Sequence, residues 1–280
     1  MSFQRDANSK AVVVTTSWDD GHACDLKLAD LLGSRGLPGT FYVTSGSLGQ
    51  ASALSAADVR GLANAGFEIG AHTVTHPVLT DLSADEVFRE AMESKDTLEE
   101  ILGKEVCSFA YPKGRSNPRV AEQVKRAGYR CARGLRMLSL SCDFPAFDMP
   151  VSVQAYPHPW SSYCRNLLRR GDVLTLIKAS ASFYSKNWVQ LGKALFDRAV
   201  REGGAWHLLG HSWETEKLEG WSELEEMLDY VSGHKGVHYL SNGGLARFVG
   251  SPNGSPIAAG GPQRSEHFSS EERDSIKDGR

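Results

Sequence analysis

The stretch AVVVTTSWDDGHACDLKLADLLGSRGLPGTFYVTS, residues 11–45, decides how the chain is read. Residues 11–17 are rich in Val and Thr, the β-branched composition of a strand. Residues 24–36 are amphipathic and stop at Gly36, as a helix does. Residues 39–45 return to strand composition. Strand, helix, strand in about 35 residues is the pattern of a parallel α/β domain.

The same rhythm continues down the chain. Ser55 and Asp58 form a capping pair for a helix over 55–65, and FEIGAHT (67–73) reads as a third strand. Ser83 and Glu86 make a capping box for the clearest helix, 83–103, which stops at Gly103. VCSFAYP (106–112), NPRVAEQVKRAG (117–128) and YRCARG (129–134) extend the alternation. Residues 135–187 mix apolar, Pro and aromatic residues and yield only a strand near 151–155. Order returns with a helix over 188–204, a strand over 205–212, a helix over 218–234 and a short strand at 237–240. The expectation is α/β: a single distorted (β/α) barrel of about seven strands over 11–250, after a flexible N-terminus (1–10). The Gly-, Ser- and Pro-rich tail 251–280 cannot bury enough apolar surface to offset its ordering entropy and is expected to be disordered.

Composition narrows the function classes. The 280 residues carry 31 Lys plus Arg against 34 Asp plus Glu, a net charge of −3. That balance lacks the basic footprint of a nucleic-acid binder or a polybasic membrane-surface protein. Neither an apolar run of signal-peptide length nor a membrane-spanning run of ~20 residues occurs, so a cytoplasmic location without membrane insertion is expected. The five cysteines form no CxxC pair and read as reduced thiols.

Three strand ends carry polar residues that a (β/α) barrel would bring together at the C-terminal face of its strands. They are Ser17-Trp18-Asp19-Asp20-Gly21-His22, His72-Thr73-Val74-Thr75-His76, and His207-Leu208-Leu209-Gly210-His211. Each alone has an ordinary explanation: a turn, two surface histidines, a satisfied buried histidine. Together they offer adjacent carboxylates that can divide labour between metal binding and proton transfer. Two imidazoles four residues apart beside a carboxylate supply three ligands for a divalent ion and leave coordination positions open.

On these residues the chain resembles the polysaccharide deacetylase family, also called the NodB-homology or carbohydrate esterase 4 group. Thr16-Ser17-Trp18-Asp19-Asp20-Gly21 is similar to the family's T-F-D-D-G. The resemblance implies that Asp19 is the catalytic base and Asp20 a metal ligand. His72-Thr73-Val74-Thr75-His76 is similar to H-[ST]-x-x-H and implies that His72 and His76 complete the metal site. Phe109-Ala110-Tyr111-Pro112-Lys113-Gly114 is similar to F-A-Y-P-x-G, which implies that the Lys113 backbone amide holds the oxyanion. Leu209-Gly210-His211 is similar to the last motif, which makes His211 the general acid. Three departures stand out. Ala110 occupies a position where many members carry an arginine paired with the catalytic Asp. His207 replaces an apolar residue. The acidic fourth motif, which orients the general acid, has only Asp143 and Asp148 as candidates.

The implied activity is hydrolysis of an N-acetyl group from a sugar, assisted by a divalent cation: Zn²⁺ first, with Co²⁺, Mn²⁺ or Ni²⁺ as alternatives. Trp18, Tyr111 and Trp213 are the aromatic candidates for contact with an N-acetylated carbohydrate, and core packing explains an aromatic residue equally well. A glycan precursor, a nucleotide- or lipid-linked sugar or an oligosaccharide would fit. Two rival readings are an amidase or ring-opening hydrolase acting on a small nitrogenous metabolite, and a catalytically impaired carbohydrate-binding barrel. A non-haem iron oxygenase ranks behind both, because Val74 stands where its carboxylate would.

Overall fold

The computed structural model describes residues 11–159, 161–164 and 187–250; the expectations for residues 1–10 and 251–280 lie outside this range. Eight parallel strands form one sheet: β1 (Val12–Asp20), β2 (Thr40–Val43), β3 (Glu68–Ala71), β4 (Ser108–Ala110), β5 (Cys131–Arg133), β6 (Val153–Gln154), β7 (Gly204–Gly210) and β8 (Val237–Tyr239). Seven follow the path β5-β4-β3-β2-β1-β7-β6, and β8 pairs with the first half of β1. The ends of that path are bridged by the segment 149–155. Met149 exchanges hydrogen bonds with Ala132 and Gly134, while Ser152 and Ala155 donate to the carbonyls of His207 and Leu209 on β7. The expected distorted (β/α) barrel of about seven strands is what the chain forms.

Helices α1 (Asp25–Ser34), α2 (Ala56–Asn64), α3 (Ala84–Leu102), α4 (Pro118–Arg126) and α5 (Trp188–Glu202) follow or precede strands in the expected alternation. Both foreseen capping boxes are present, Ser55 with Asp58 and Ser83 with Glu86, each satisfying two otherwise unpartnered backbone or side-chain donors. The helix expected over 218–234 is α7 (Trp221–Val231), and a short helix that was not expected, α6 (Ser212–Lys217), precedes it directly after β7. Glu219, at φ 54°, and Gly220 separate the two.

An alternation along β1 sets the interior. Val14 and Trp18 join the cluster that packs the helices, with Leu28 and Leu32 of α1. Val13, Thr15, Ser17 and Asp19 face the other way, as the period of 2 requires. At the bottom, Val13 packs with Met149, Ala205, Leu240, Leu245 and Phe248. Above it, Thr15 Oγ1 donates to Asn242 Oδ1 at 2.9 Å and Ser17 Oγ meets His207 Nε2 at 2.8 Å. Asp19 caps the column with Arg133. The interior therefore grades from apolar to polar to charged in the direction that β1 runs, and the charge collects at the C-terminal mouth.

A last helix, α8 (Asn242–Gly250), which the sequence pattern did not reveal, plugs the opposite end. Its Gly243 N–H donates to Glu68 Oε2 at 2.8 Å, and Thr40 Oγ1 and Ser108 Oγ donate to the same carboxylate. The carboxylate thus satisfies an N-terminal donor of α8 and favours its positive end.

Candidate active site

Asp19 and Asp20 close β1, His72 follows β3, and His211 follows β7. The parallel register puts these ends side by side: Asp19 lies opposite Tyr42 on β2, and Trp18 opposite Gly210 on β7. Among the six described non-glycine residues with positive φ, four are here: Asp20 (83°), Thr73 (68°), His76 (58°) and Lys113 (55°). Such backbone conformations carry strain, and strain gathers where a side chain must be aimed.

The side chains of Asp20, His72 and His76 converge. His72 Nε2 is 3.7 Å and His76 Nε2 3.6 Å from Asp20 Oδ1, and the three candidate donor atoms all lie within 4.8 Å of one another. Donors bonded to one tetrahedral ion at about 2.0–2.1 Å stand roughly 3.4 Å apart, so the cluster fits a small divalent cation with minor closure. His72 Nδ1 donates to the Ala110 carbonyl at 2.8 Å, which leaves Nε2 as the free lone pair. Burial lowers the His72 pKa further than the Asp19 and Asp20 charges raise it, so the ring is neutral, the form that ligates. The loop carrying His76 is held by Glu90 on α3, which accepts from the Val74 and Thr75 amides at 2.8 and 3.0 Å.

Beside this cluster, Asp19 is buried and paired with Arg133, whose Nη2 is 2.7 Å from Oδ1. Burial would raise its pKa, but Arg133, His72 and His211 together outweigh that and hold the carboxylate ionised. Arg133 fills the gap left at Ala110. The two residues are direct register partners on β5 and β4, so the guanidinium comes from the adjacent strand over a methyl side chain. It lies 5.4 Å above the Tyr42 ring. That ring in turn rests on Gly70, where a Cβ would come within 2.4 Å of Tyr42 Cε1.

His211 faces Asp19 across the site, with Nε2 4.0 Å from Asp19 Oδ2. Its Nδ1 lies 2.7 Å from Glu214 Oε2, one turn along α6. Burial alone would lower the His211 pKa, but the hydrogen bond to Glu214 and the charges of Asp19 and Asp20 raise it to about 9. His211 is therefore an imidazolium at neutral pH, a proton donor opposite a proton acceptor. Neither Asp143 nor Asp148 serves it. Asp148 pairs with Arg136 at 3.5 Å, and Asp143 accepts through its backbone from Ser141. Glu214→Gln is expected to lower the His211 pKa by ~1–3 units, read as an equal downward move of the alkaline limb of any pH–rate profile.

The aromatic candidates divide. Trp18 is 0% exposed, lies on the helix-facing side of β1 against Gly210, and donates to Thr16 Oγ1. Strand parity is the reason: if Asp19 points inward, Trp18 points outward. Tyr111 is also 0% exposed, and its hydroxyl donates to the Phe147 carbonyl at 3.1 Å. Neither presents a ring to solvent, so both belong to the core and not to a sugar-binding surface. Trp213 is half-buried at the site, and its indole N–H donates to Asp20 Oδ2 at 2.8 Å. That bond leaves Oδ1 toward the histidines, and Trp213→Phe is expected to weaken cation binding ~10–100-fold in a metal titration. Lys113 stands exposed on the turn Pro112–Gly114, three residues after the Ala110 carbonyl that receives His72. His207, the other departure, is buried and neutral. Burial and Arg133 push its pKa down to about 3, and Nδ1 donates to the Pro150 carbonyl.

Known proteins resemble this chain in sequence and fold. Residues 5–132 match the family model described as polysaccharide deacetylase. The peptidoglycan-N-acetylmuramic acid deacetylase PdaA of Bacillus subtilis (strain 168) is 27% identical over 126 residues, 44% of this chain and 46% of that protein. Two further proteins carry the name "putative polysaccharide deacetylase". YxkH of Bacillus subtilis (strain 168) is 25% identical over 131 residues, 46% of each chain. A Mycobacterium smegmatis crystal structure is 17% identical, with a TM-score of 0.66 over 92% of this chain and 96% of its own. The matches thus span about half the length of the curated relatives, whereas the fold agrees across nearly the whole chain. Among the described residues, no helix is long and apolar enough to cross a membrane. The resemblance carried by the motifs therefore holds: residues 5–132 have the sequence pattern of the polysaccharide deacetylase family, and the described chain has the fold seen in its structures.

Proposed function

We propose that this protein is a divalent-cation-dependent hydrolase that removes an N-acetyl group from an amino sugar. The observation that carries this reading is the position of Asp19. It is a buried, ionised carboxylate 3.9 Å from His72 in the three-ligand cluster and 4.0 Å from the His211 imidazolium. Base, ligand set and acid surround one small space.

In this account Asp20, His72 and His76 hold the cation. A bound Zn²⁺ or similar ion supplies Lewis acidity, which polarises a carbonyl and makes water more acidic. Asp19 accepts the proton of the attacking water, its carboxylate fixed by Arg133 so that it stays unprotonated at neutral pH. The Lys113 amide donates to the developing oxyanion, an interaction whose loss costs about 3–4 kcal/mol elsewhere. His211 protonates the amine as the C–N bond breaks, and Glu214 keeps its ring oriented and charged.

The substrate class is supported by the name of PdaA, an N-acetylmuramic acid deacetylase, together with the acid–base pair described above. The absence of an arginine at position 110 would favour the impaired-barrel reading, but Arg133 supplies a guanidinium to Asp19 from the next strand. The test is acetate release from N-acetylglucosamine oligomers and peptidoglycan fragments, run beside ring-opening of cyclic ureides. Acetate from the sugars alone is the expected result. Consumption of the ureides with no acetate from any sugar would transfer the assignment to the amidase reading.

A further inference from the structure

Asp25 is the first residue of α1 and fully buried, and neither of its carboxylate oxygens has a hydrogen-bond partner among the described residues. The hydroxyl of Ser212, the first residue of α6, is buried and equally unpartnered. The helices that these two residues open, α1 and α6, pack against each other, and the Ser212 hydroxyl tempers the pKa of Asp25, though no hydrogen bond of ordinary geometry closes between them. Burial dominates, and with the nearby Asp20 and Asp19 charges it raises the Asp25 pKa to about 8. The group is a neutral carboxyl at pH 7, able to donate as well as accept.

An unsatisfied buried polar group costs ~1–3 kcal/mol, so two at the starts of packed helices call for an explanation. Helix capping does not provide one: residue 24 caps α1 without any side-chain bond, and Asp25 accepts from none of the helix amides. Location does. Asp25 follows the turn that leaves Asp20, and its backbone N–H donates to the His22 carbonyl at 2.8 Å. Ser212 follows His211 and opens the short helix that carries Trp213 and Glu214. The two segments are also tied by the Trp213 bond to Asp20 and, at the surface, by the Lys27–Glu216 ion pair at 3.9 Å.

We propose that Asp25 is a positioning residue: its carboxyl and the Ser212 hydroxyl pin α6 to the turn after β1, which sets His211 and Glu214 against Asp19. The pin acts through His211, so it rests on the proposed function only for the role given to that ring. A hydrogen bond between neutral groups is enough, and Asn can supply it where Ala cannot.

The experiment is an NMR titration of the imidazole rings in the full-length protein with Zn²⁺ added, the His211 signal being identified by its loss in His211→Gln. Groups facing that ring are Glu214, Asp19, Asp20, Asp25 and His158, and the Glu214 bond is the one the pin would hold. In Ser212→Ala the His211 pKa should fall by about one unit; Asp25→Ala should lower it further than Asp25→Asn, since both remove the charge that Asp25 carries above about pH 8 and only Ala also removes the hydrogen bond. A wild-type His211 titration in folded Ser212→Ala overturns the proposal, as does Asp25→Asn behaving like Asp25→Ala. If Asp25→Ala does not fold, Ser212→Ala decides. These titrations need no turnover, so loss of the deacetylase reading and loss of the pin are seen separately.

Discussion

Asp19→Asn is expected to keep its divalent cation and lose turnover by ~10²–10⁴-fold, whereas His76→Ala loses both. Asp19 faces the ligand set without belonging to the cluster of Asp20, His72 and His76. The asparagine oxygen still accepts from Arg133 in the same volume, so the ligand geometry has no reason to change. The lost property is basicity: an amide cannot take the proton of water. His76, a third exposed, removes one of three donors and leaves an ion held by Asp20 and His72 alone. Metal analysis and acetate release, measured on both variants, separate the two roles. Full activity in Asp19→Asn, or retained metal and activity in His76→Ala, would contradict the assignment.

Arg133→Met is the second large effect, and it acts on stability and activity together. Its guanidinium is 1% exposed and the Asp19 side chain 6%, so the pair is shielded from water and screened little by salt. Removing one partner of a buried ion pair leaves a buried charge uncompensated and costs about 3–5 kcal/mol. The wild-type Asp19 has a folded-state pKa below its unfolded value of 3.8. Its contribution is therefore present above pH 3.8 and lost as pH falls through the folded value. Without Arg133 the burial that now opposes ionisation prevails and the pKa rises. The stability of Arg133→Met should then increase toward acid relative to wild type, and its acidic limb of activity should move up. Parallel denaturant melts at pH 7 and pH 4 check the sign: a difference from wild type that does not shrink at pH 4 contradicts the pair's role.

Much of this was legible in the chain because it is local. The capping boxes Ser55/Asp58 and Ser83/Glu86 are set by residues three apart, and the structure contains both. The strand ends at Asp19–Asp20, His72 and His211 are likewise marked by their own neighbours. Arg133 escaped notice because its importance depends on a register between two strands, Ala110 beside Arg133, that no local pattern encodes. The available hint was a gap at 110 followed by an arginine near the end of the next strand. Glu214 left a stronger local signal, an acidic residue three positions after His211 at a helix start. It was obscured by the expectation that the helix began at 218. Glu90 acts from α3 on a loop 15 residues earlier, and nothing in the helical periodicity distinguishes it from other surface acids. Trp18 was misread for a different reason. Adjacent strand residues face opposite ways, so placing Asp19 inside already excluded Trp18 from the same site.

The arrangement also accounts for the polar barrel interior. Ser17 and His207 form a neutral bonded pair below Arg133, and Asn242 Nδ2 donates to the Tyr42 hydroxyl at 3.0 Å beneath the same guanidinium. A charged group supported from below by satisfied polar groups is held rigidly, and a rigid donor keeps Asp19 aimed. The replacement of an apolar residue by His207 is thus part of a barrel whose arginine enters from β5.

In the proposed mechanism one divalent cation on Asp20, His72 and His76 is required for Asp19 to promote hydrolysis of an N-acetyl sugar. The most direct measurement is a titration of metal-free protein with Zn²⁺ or Co²⁺, following acetate release from an N-acetylglucosamine oligomer at each addition. Activity should rise from baseline and level off at about one equivalent, the stoichiometry of a three-ligand site, with no rise in Asp19→Asn. Acetate release at full rate before any metal is added, or none from any N-acetylated sugar after the metal has bound, would contradict it.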